Sequence, residues 1–107
     1  MSTLANRILG TALGAAVGDA LGCPFEFQAR DTVRQRLGDP PWIDKLYPVQ
    51  GLAVHPLGIW QEDAPCGVAT DDTRMSWLML RLFAERGLGA KPADLARHYL
   101  AVYSRPQ

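Results

Sequence analysis

The side chains of this sequence that could do chemistry stand together in one motif, Thr-Asp-Asp-Thr at residues 70–73. Carboxylate and hydroxyl oxygens are the hard ligands that Mg²⁺, Mn²⁺ and Ca²⁺ prefer in proteins. The motif stands just before an apolar run that is typical of a helix, so its oxygens can point together at one spot. The pattern therefore predicts a cation site, and a cation site indicates chemistry on a phosphate or a sugar.

A helix cap explains the same residues without a metal. Thr is a preferred N-cap, and acidic residues in the first turn complement the helix dipole. Two features favour a cation instead. A cap needs one side-chain oxygen, whereas this motif has four oxygen-bearing side chains, and two adjacent carboxylates repel each other unless a cation lies nearby. Both interpretations stay open at this point.

Apolar periodicity predicts that helices position this motif. Residues 71–86 carry apolar side chains at the i, i+3, i+4, i+7 spacing with charged side chains opposite, and Gly87 is suited to end the helix. Residues 3–20 form a second predicted helix, in which glycines and larger apolar residues each recur every fourth position. Because glycine weakens a helix, we expect another helix backbone to approach closely along the glycine face.

The remaining sequence predicts two shorter helices and a long loop, which makes the fold all-α. Gly22 to Pro24 ends the first helix, and Phe25 to Phe27 is expected to be extended. A short helix is expected over 31–37, and Pro92 opens the last helix at its favoured position. Residues 39–69 are rich in proline and glycine without a clear period, which predicts a loop.

Composition limits the partners. The chain has 107 residues, of which 48% are apolar, enough for one small folded domain. Eleven basic and eleven acidic residues cancel, so no charge excess attracts nucleic acid or an anionic membrane. The apolar run before Asp19, about ten residues long, is too short to span a bilayer. Cys23 and Cys66 do not have the spacing of a metal-ligand pair. A single disulfide between them is possible in an oxidising compartment, but we expect free, buried thiols in a cytoplasmic protein.

The other basic side chains receive no chemical role. Arg30, Arg34 and Arg36 are interpreted as a solvated helix face rather than a phosphate site. His55 and His98 have no partner at metal-ligand spacing, so both are interpreted as incidental.

A second motif, Gly-Asp-Ala-Leu-Gly-Cys-Pro-Phe-Glu at residues 18–26, precedes the Thr-Asp-Asp-Thr motif. In this order, with a long loop between them, the two motifs resemble those of the ADP-ribosylglycohydrolase family, which includes the dinitrogenase reductase-activating glycohydrolases. The resemblance implies an all-α fold, two Mg²⁺ or Mn²⁺ ions in a cleft, and hydrolysis of the glycosidic bond between ADP-ribose and a protein side chain. The expected partner is an ADP-ribosylated protein or another ADP-ribose conjugate.

The resemblance also implies roles for single residues. Thr70, Asp71 and Asp72 match metal ligands of the family. Glu26 matches the acidic residue beside the dinuclear centre, as a ligand or as the group that activates water. Asp72 is a second candidate to take the proton from that water. Asp19 matches a motif aspartate, for which a supporting or structural role is expected.

The family pattern includes a third motif, Asp-x-Asp-Thr near the C-terminus, that this sequence lacks. Two bridged ions need about ten donor positions, more than the four matched residues supply. We therefore expect residues 1–107 to be a partial domain without the C-terminal metal-binding half, inactive alone and associating through exposed apolar faces. Two other hypotheses stay open: a metal-dependent phosphohydrolase that uses Arg74 for phosphate charge, and a non-catalytic helical interaction module.

Overall fold

The computed structural model of the chain describes residues 3–51 and 63–104, and these residues form four α-helices. The helices are α1 (Leu4–Gly22), α2 (Arg30–Leu37), α3 (Asp71–Arg86) and α4 (Pro92–Tyr103). Within the described ranges, sheet-like pairing is limited to a single bridge between Val49 and Ala64. The prediction of an all-α fold is confirmed. The chain divides between Thr70 and Asp71 into an N-terminal unit and a C-terminal unit.

The long helix α1 opens the N-terminal unit, and most of its surface is exposed. Its start is capped by Thr3, whose hydroxyl oxygen accepts a hydrogen bond from the backbone of Asn6 at 3.2 Å. Leu4, Leu9 and Leu13 are each more than half exposed. A Cβ placed on any of its glycines would meet nothing within 4 Å among the described residues. No helix among the described residues makes the close backbone approach that the sequence predicts.

The apolar helical segment that begins at Leu4 is also longer than the run of about ten residues predicted from the sequence. By length and composition alone, Leu4–Phe25 would suffice to cross a membrane, although an apolar core helix or a signal sequence meets the same criterion. The difference arises because Asp19 interrupts the apolar run without ending the helix.

The C-terminal unit is a pair of packed helices, α3 and α4, joined by a 3₁₀ turn at Gly87–Gly89. The bounds of α3 agree with the predicted 71–86. Its apolar stripe consists of Met75, Leu78, Met79, Leu82 and Phe83. Leu78 and Leu82 are each only 2% exposed. The turn begins at Gly87, whose positive φ of 63° suits a residue without a side chain.

The segment between α1 and α2 differs from the prediction. Cys23–Phe25 is a 3₁₀ turn, not part of an extended piece, and Phe27 has a left-handed φ of 60°. Pro24, the second residue of the turn, favours this conformation, because it supplies a helical φ and needs no hydrogen-bond partner for its nitrogen. The predicted loop over 39–69 is irregular where it is described, and its residues 52–62, including His55, lie outside the described residues.

Candidate active site

The two sequence motifs are joined by one aspartate. Asp19, near the end of α1, accepts two hydrogen bonds from Thr70: the backbone N–H donates to Oδ2 and the hydroxyl donates to Oδ1, both at 2.8 Å. The two residues are 51 positions apart in the chain. Thr70 is 2% exposed, so its donors need partners within the protein. Hydrogen bonds to a charged carboxylate are among the stronger ones, and this pair fixes Thr70 against the end of α1.

This contact also determines what the Thr70 hydroxyl can do. A hydroxyl has one proton to donate and two acceptor positions. Since the proton is given to Asp19, the oxygen acts toward any other group only as an acceptor, which is what a cation ligand must be. A carboxylate behind a ligand commonly orients it in this way. A supporting role for Asp19 beside a cation stays a prediction.

Glu26 follows the Cys23–Phe25 turn and is exposed. Its backbone N–H donates to the carbonyl of Cys23 at 3.3 Å. Burial raises the pKa of the Cys23 thiol, and the carboxylates of Asp19 and Glu26 raise that pKa further. Both carboxylates therefore lie within electrostatic range of one buried thiol. Cys23 is free and buried as expected, whereas Cys66 is free but exposed, so the expectation of burial is wrong there.

Sequence reasoning missed Arg36. It donates from Nη1 to the carbonyl oxygen of Pro24 at 2.8 Å, so the interpretation of all three arginines as a solvated face is wrong at this position. A signal was present in the sequence: Arg36 lies on the same face of α2 as Val33 and Leu37, three residues before it and one after it. All three are partly buried, which places that face inward.

Asp71 and Asp72 form the start of α3, in its first turn, and both are exposed. There they complement the positive end of the helix dipole. Asp19, Glu26 and Thr70 therefore belong to the N-terminal unit. Asp71 and Asp72 are the first residues of the C-terminal unit.

The donor types of these residues fit a divalent cation. The carboxylates of Glu26, Asp71 and Asp72 and the hydroxyl of Thr70 are hard oxygen ligands of the kind that Mg²⁺ and Mn²⁺ prefer. Within residues 3–51 and 63–104, no three His, Cys, Asp or Glu side chains are grouped as a metal site. The metal-ligand roles of Glu26, Thr70, Asp71 and Asp72 therefore stay predictions.

Comparison with known proteins decides the family. The family model for ADP-ribosylglycohydrolase matches residues 1–106. The chain belongs to the ADP-ribosylglycohydrolase family. It is 35% identical over 102 residues to the ADP-ribosyl-[dinitrogen reductase] glycohydrolase of Rhodospirillum rubrum, covering 94% of this chain and 30% of that protein. It is 33% identical over 99 residues to the uncharacterised protein YegU of Escherichia coli, covering 89% of this chain and 26% of YegU.

This member of the family thus spans less than a third of the length of the curated relatives it matches. No solved structure matches the chain.

Proposed function

We propose that this chain contributes part of the active site of a hydrolase that uses Mg²⁺ or Mn²⁺ to cleave the glycosidic bond between ADP-ribose and a protein side chain. The observation that carries the proposal is the pair of hydrogen bonds between Asp19 and Thr70, which joins the two family motifs. Membership of the family and similarity to a named glycohydrolase give the reaction class. The proposal includes a cytoplasmic location, as expected from the sequence.

In this proposal, Thr70, Asp71, Asp72 and Glu26 hold the ions together with donors from outside the described residues. When bound, two such ions polarise water and hold the hydroxyls of the ribose. The role of Asp19 is to keep the Thr70 oxygen oriented as an acceptor through the bonds described above.

The proton of the attacking water passes to a carboxylate of this chain. Glu26 is the first candidate, because it is exposed and held on a defined turn, and Asp72 is the second. As the water oxygen bonds to C1″ of the ribose, the bond to the protein side chain breaks. The side chain leaves with the electron pair of that bond and takes up a proton, which replaces the one given to the carboxylate. The transition state for this cleavage resembles an oxocarbenium ion, whose positive charge nearby carboxylates stabilise.

Cation binding is tested on the chain itself by titration with Mn²⁺, followed by electron paramagnetic resonance. We expect the double variant Asp71→Asn with Asp72→Asn to lose the bound Mn²⁺. The matched control, Asp31→Asn with Asp39→Asn, removes the same charge from exposed positions elsewhere and should bind as the unaltered chain does. Equal binding by both double variants would show that Asp71 and Asp72 are not ligands and would favour a helix cap.

The reaction is tested in a chimera in which this chain replaces the matching segment of the Rhodospirillum glycohydrolase. We expect release of ADP-ribose from an ADP-ribosylated protein, dependent on Mn²⁺ and abolished by Glu26→Gln or by the Asp71 and Asp72 double variant. Release of inorganic phosphate instead would identify a phosphohydrolase. A folded chimera that binds Mn²⁺ but releases neither product would contradict the proposed hydrolysis.

A further inference from the structure

The turn that precedes Glu26 has three backbone carbonyls, and two of them are satisfied by the backbone. The carbonyl of Cys23 accepts from the N–H of Glu26 at 3.3 Å, and that of Phe25 accepts from the N–H of Gln28 at 3.2 Å. These two bonds shape the turn but do not attach it to any other element of the fold.

The third carbonyl, that of Pro24, supplies the attachment. It accepts from Arg36 Nη1 at 2.8 Å and from Gln28 Nε2 at 2.9 Å. Arg36 Nη1 also donates to Gln28 Oε1 at 3.2 Å, which closes a ring of three hydrogen bonds. A second nitrogen, Arg36 Nη2, lies 3.4 Å from the carbonyl oxygen of Pro48. The planar fork of arginine is suited to reach two such acceptors at once, and lysine is not.

The same guanidinium also holds the aromatic ring beside Glu26. Arg36 Cζ lies 4.6 Å from the centre of the Phe25 ring, within the range of a cation–π interaction. The Phe25 ring packs edge-on against Tyr47, with ring centres 5.4 Å apart. One side chain of α2 thus contacts both the backbone and the side chain of the turn.

We infer that Arg36 is a positioning residue, which holds the Cys23–Phe25 turn through Pro24 and Phe25 and thereby sets the place of the Glu26 carboxylate. Glu26 follows the turn directly, so movement of the turn moves the carboxylate with it. The consequence for hydrolysis rests on the proposed function. The effect on the position of Glu26 does not, and it can be measured without metal or substrate.

Cys23 provides the reporter, because it is buried at the start of the turn and its carbonyl accepts the Glu26 N–H at 3.3 Å. The rate of Cys23 alkylation by iodoacetamide at pH 8 is measured by mass spectrometry in a Cys66→Ser background. Glu26→Gln should raise this rate about threefold, because losing a nearby negative charge favours the reactive thiolate. This effect of Glu26 on Cys23 depends on where the carboxylate lies, so it is compared only among variants that circular dichroism shows to be folded.

The test is whether Arg36→Met abolishes that effect. We expect Arg36→Met to raise Cys23 alkylation about tenfold by exposing the thiol, and Glu26→Gln to add nothing further in this background. The matched control is Arg34→Met on the same helix, where Arg34 pairs only loosely with Asp39 at 3.9 Å. In that background the threefold effect should remain. An undiminished effect of Glu26→Gln in folded Arg36→Met would overturn the inference.

Arg36→Lys decides the matter should circular dichroism show that Arg36→Met has lost its helices. Lysine keeps the charge near Phe25 but loses the fork, so the effect of Glu26→Gln should fall below that in the Arg34→Met control. A full threefold effect in Arg36→Lys would overturn the inference. Because no Mn²⁺ is added, failure of the proposed hydrolysis leaves these rates unchanged, and the two outcomes are distinguished.

Discussion

The two units of this chain are stabilised in different ways. In the C-terminal unit, α3 packs against α4, and Leu78 and Leu82 of the apolar stripe of α3 are almost fully buried. In the N-terminal unit, a buried polar residue is central: Thr70 is held by a carboxylate 51 positions earlier. Apolar periodicity therefore determines the packed helices of the C-terminal unit. In the N-terminal unit, a polar contact between distant residues fixes Thr70 of the candidate site.

The largest effect is expected in the apolar stripe of the C-terminal unit. Leu78→Ala should lower the free energy of unfolding by about 3 kcal/mol, because it removes buried methyl groups and leaves a cavity. Leu80→Ala is the matched control, since Leu80 is two positions away on the same helix but 39% exposed. It should cost about 1 kcal/mol or less. Urea unfolding followed by circular dichroism measures both, and equal losses would contradict the assignment of the core.

The second largest effect is expected from loss of the hydrogen bonds between Asp19 and Thr70 in the N-terminal unit. Asp19→Asn should lower the free energy of unfolding by about 2 kcal/mol, because the amide NH₂ faces one of the buried Thr70 donors and cannot accept from it. Asp31→Asn removes an exposed carboxylate from the first turn of α2 and should cost about 0.5 kcal/mol or less.

Combining Asp19→Asn with Thr70→Val sharpens this prediction. The two substitutions should be non-additive by about 1 kcal/mol if the hydroxyl and the carboxylate interact directly. Strict additivity in the same urea titrations would show that the hydrogen bond from the Thr70 hydroxyl to Asp19 contributes nothing to stability.

The same contrast explains what the sequence could and could not predict. The bounds of α3 follow from a local 3.6-residue period, and they agree with the prediction. The Asp19–Thr70 contact joins residues far apart in the chain, and no local pattern specifies which threonine an aspartate will meet. Arg36 was misread because arginine is usually solvated, although its place beside Val33 and Leu37 indicated an inward face. The metal roles of Asp71 and Asp72 stay predictions.

A smaller effect, with a defined pH dependence, is expected at the start of α4. The backbone N–H of Lys91 donates to Asp94 at 2.9 Å, and this bond, together with one from Arg97, lowers the pKa of Asp94. A carboxyl whose pKa is lower in the folded state stabilises that state above its unfolded pKa, and the stabilisation is lost as the pH falls through the folded pKa. Asp94→Asn should therefore lower the unfolding temperature at pH 7, by a few degrees.

Below about pH 4, where an ordinary aspartate becomes protonated, the difference between Asp94→Asn and the unaltered chain should shrink. Asp39→Asn, at an exposed position, serves as the control in thermal scans at both pH values. A difference that stays constant from pH 7 to pH 2 would show that the charge of Asp94 does not stabilise the helix.

The smallest effect is expected on the surface of the C-terminal unit. Arg81 and Glu85 form an i, i+4 ion pair at 3.6 Å, with both side chains about half exposed. Because water screens such a pair, Arg81→Gln should cost only about 0.3 kcal/mol, and less in high salt. Arg74→Gln on the same helix is the control, since the described residues show no ion pair for Arg74. A loss at Arg81 comparable to that of Leu78→Ala would mean that charge pairing, and not the apolar stripe, holds this unit together.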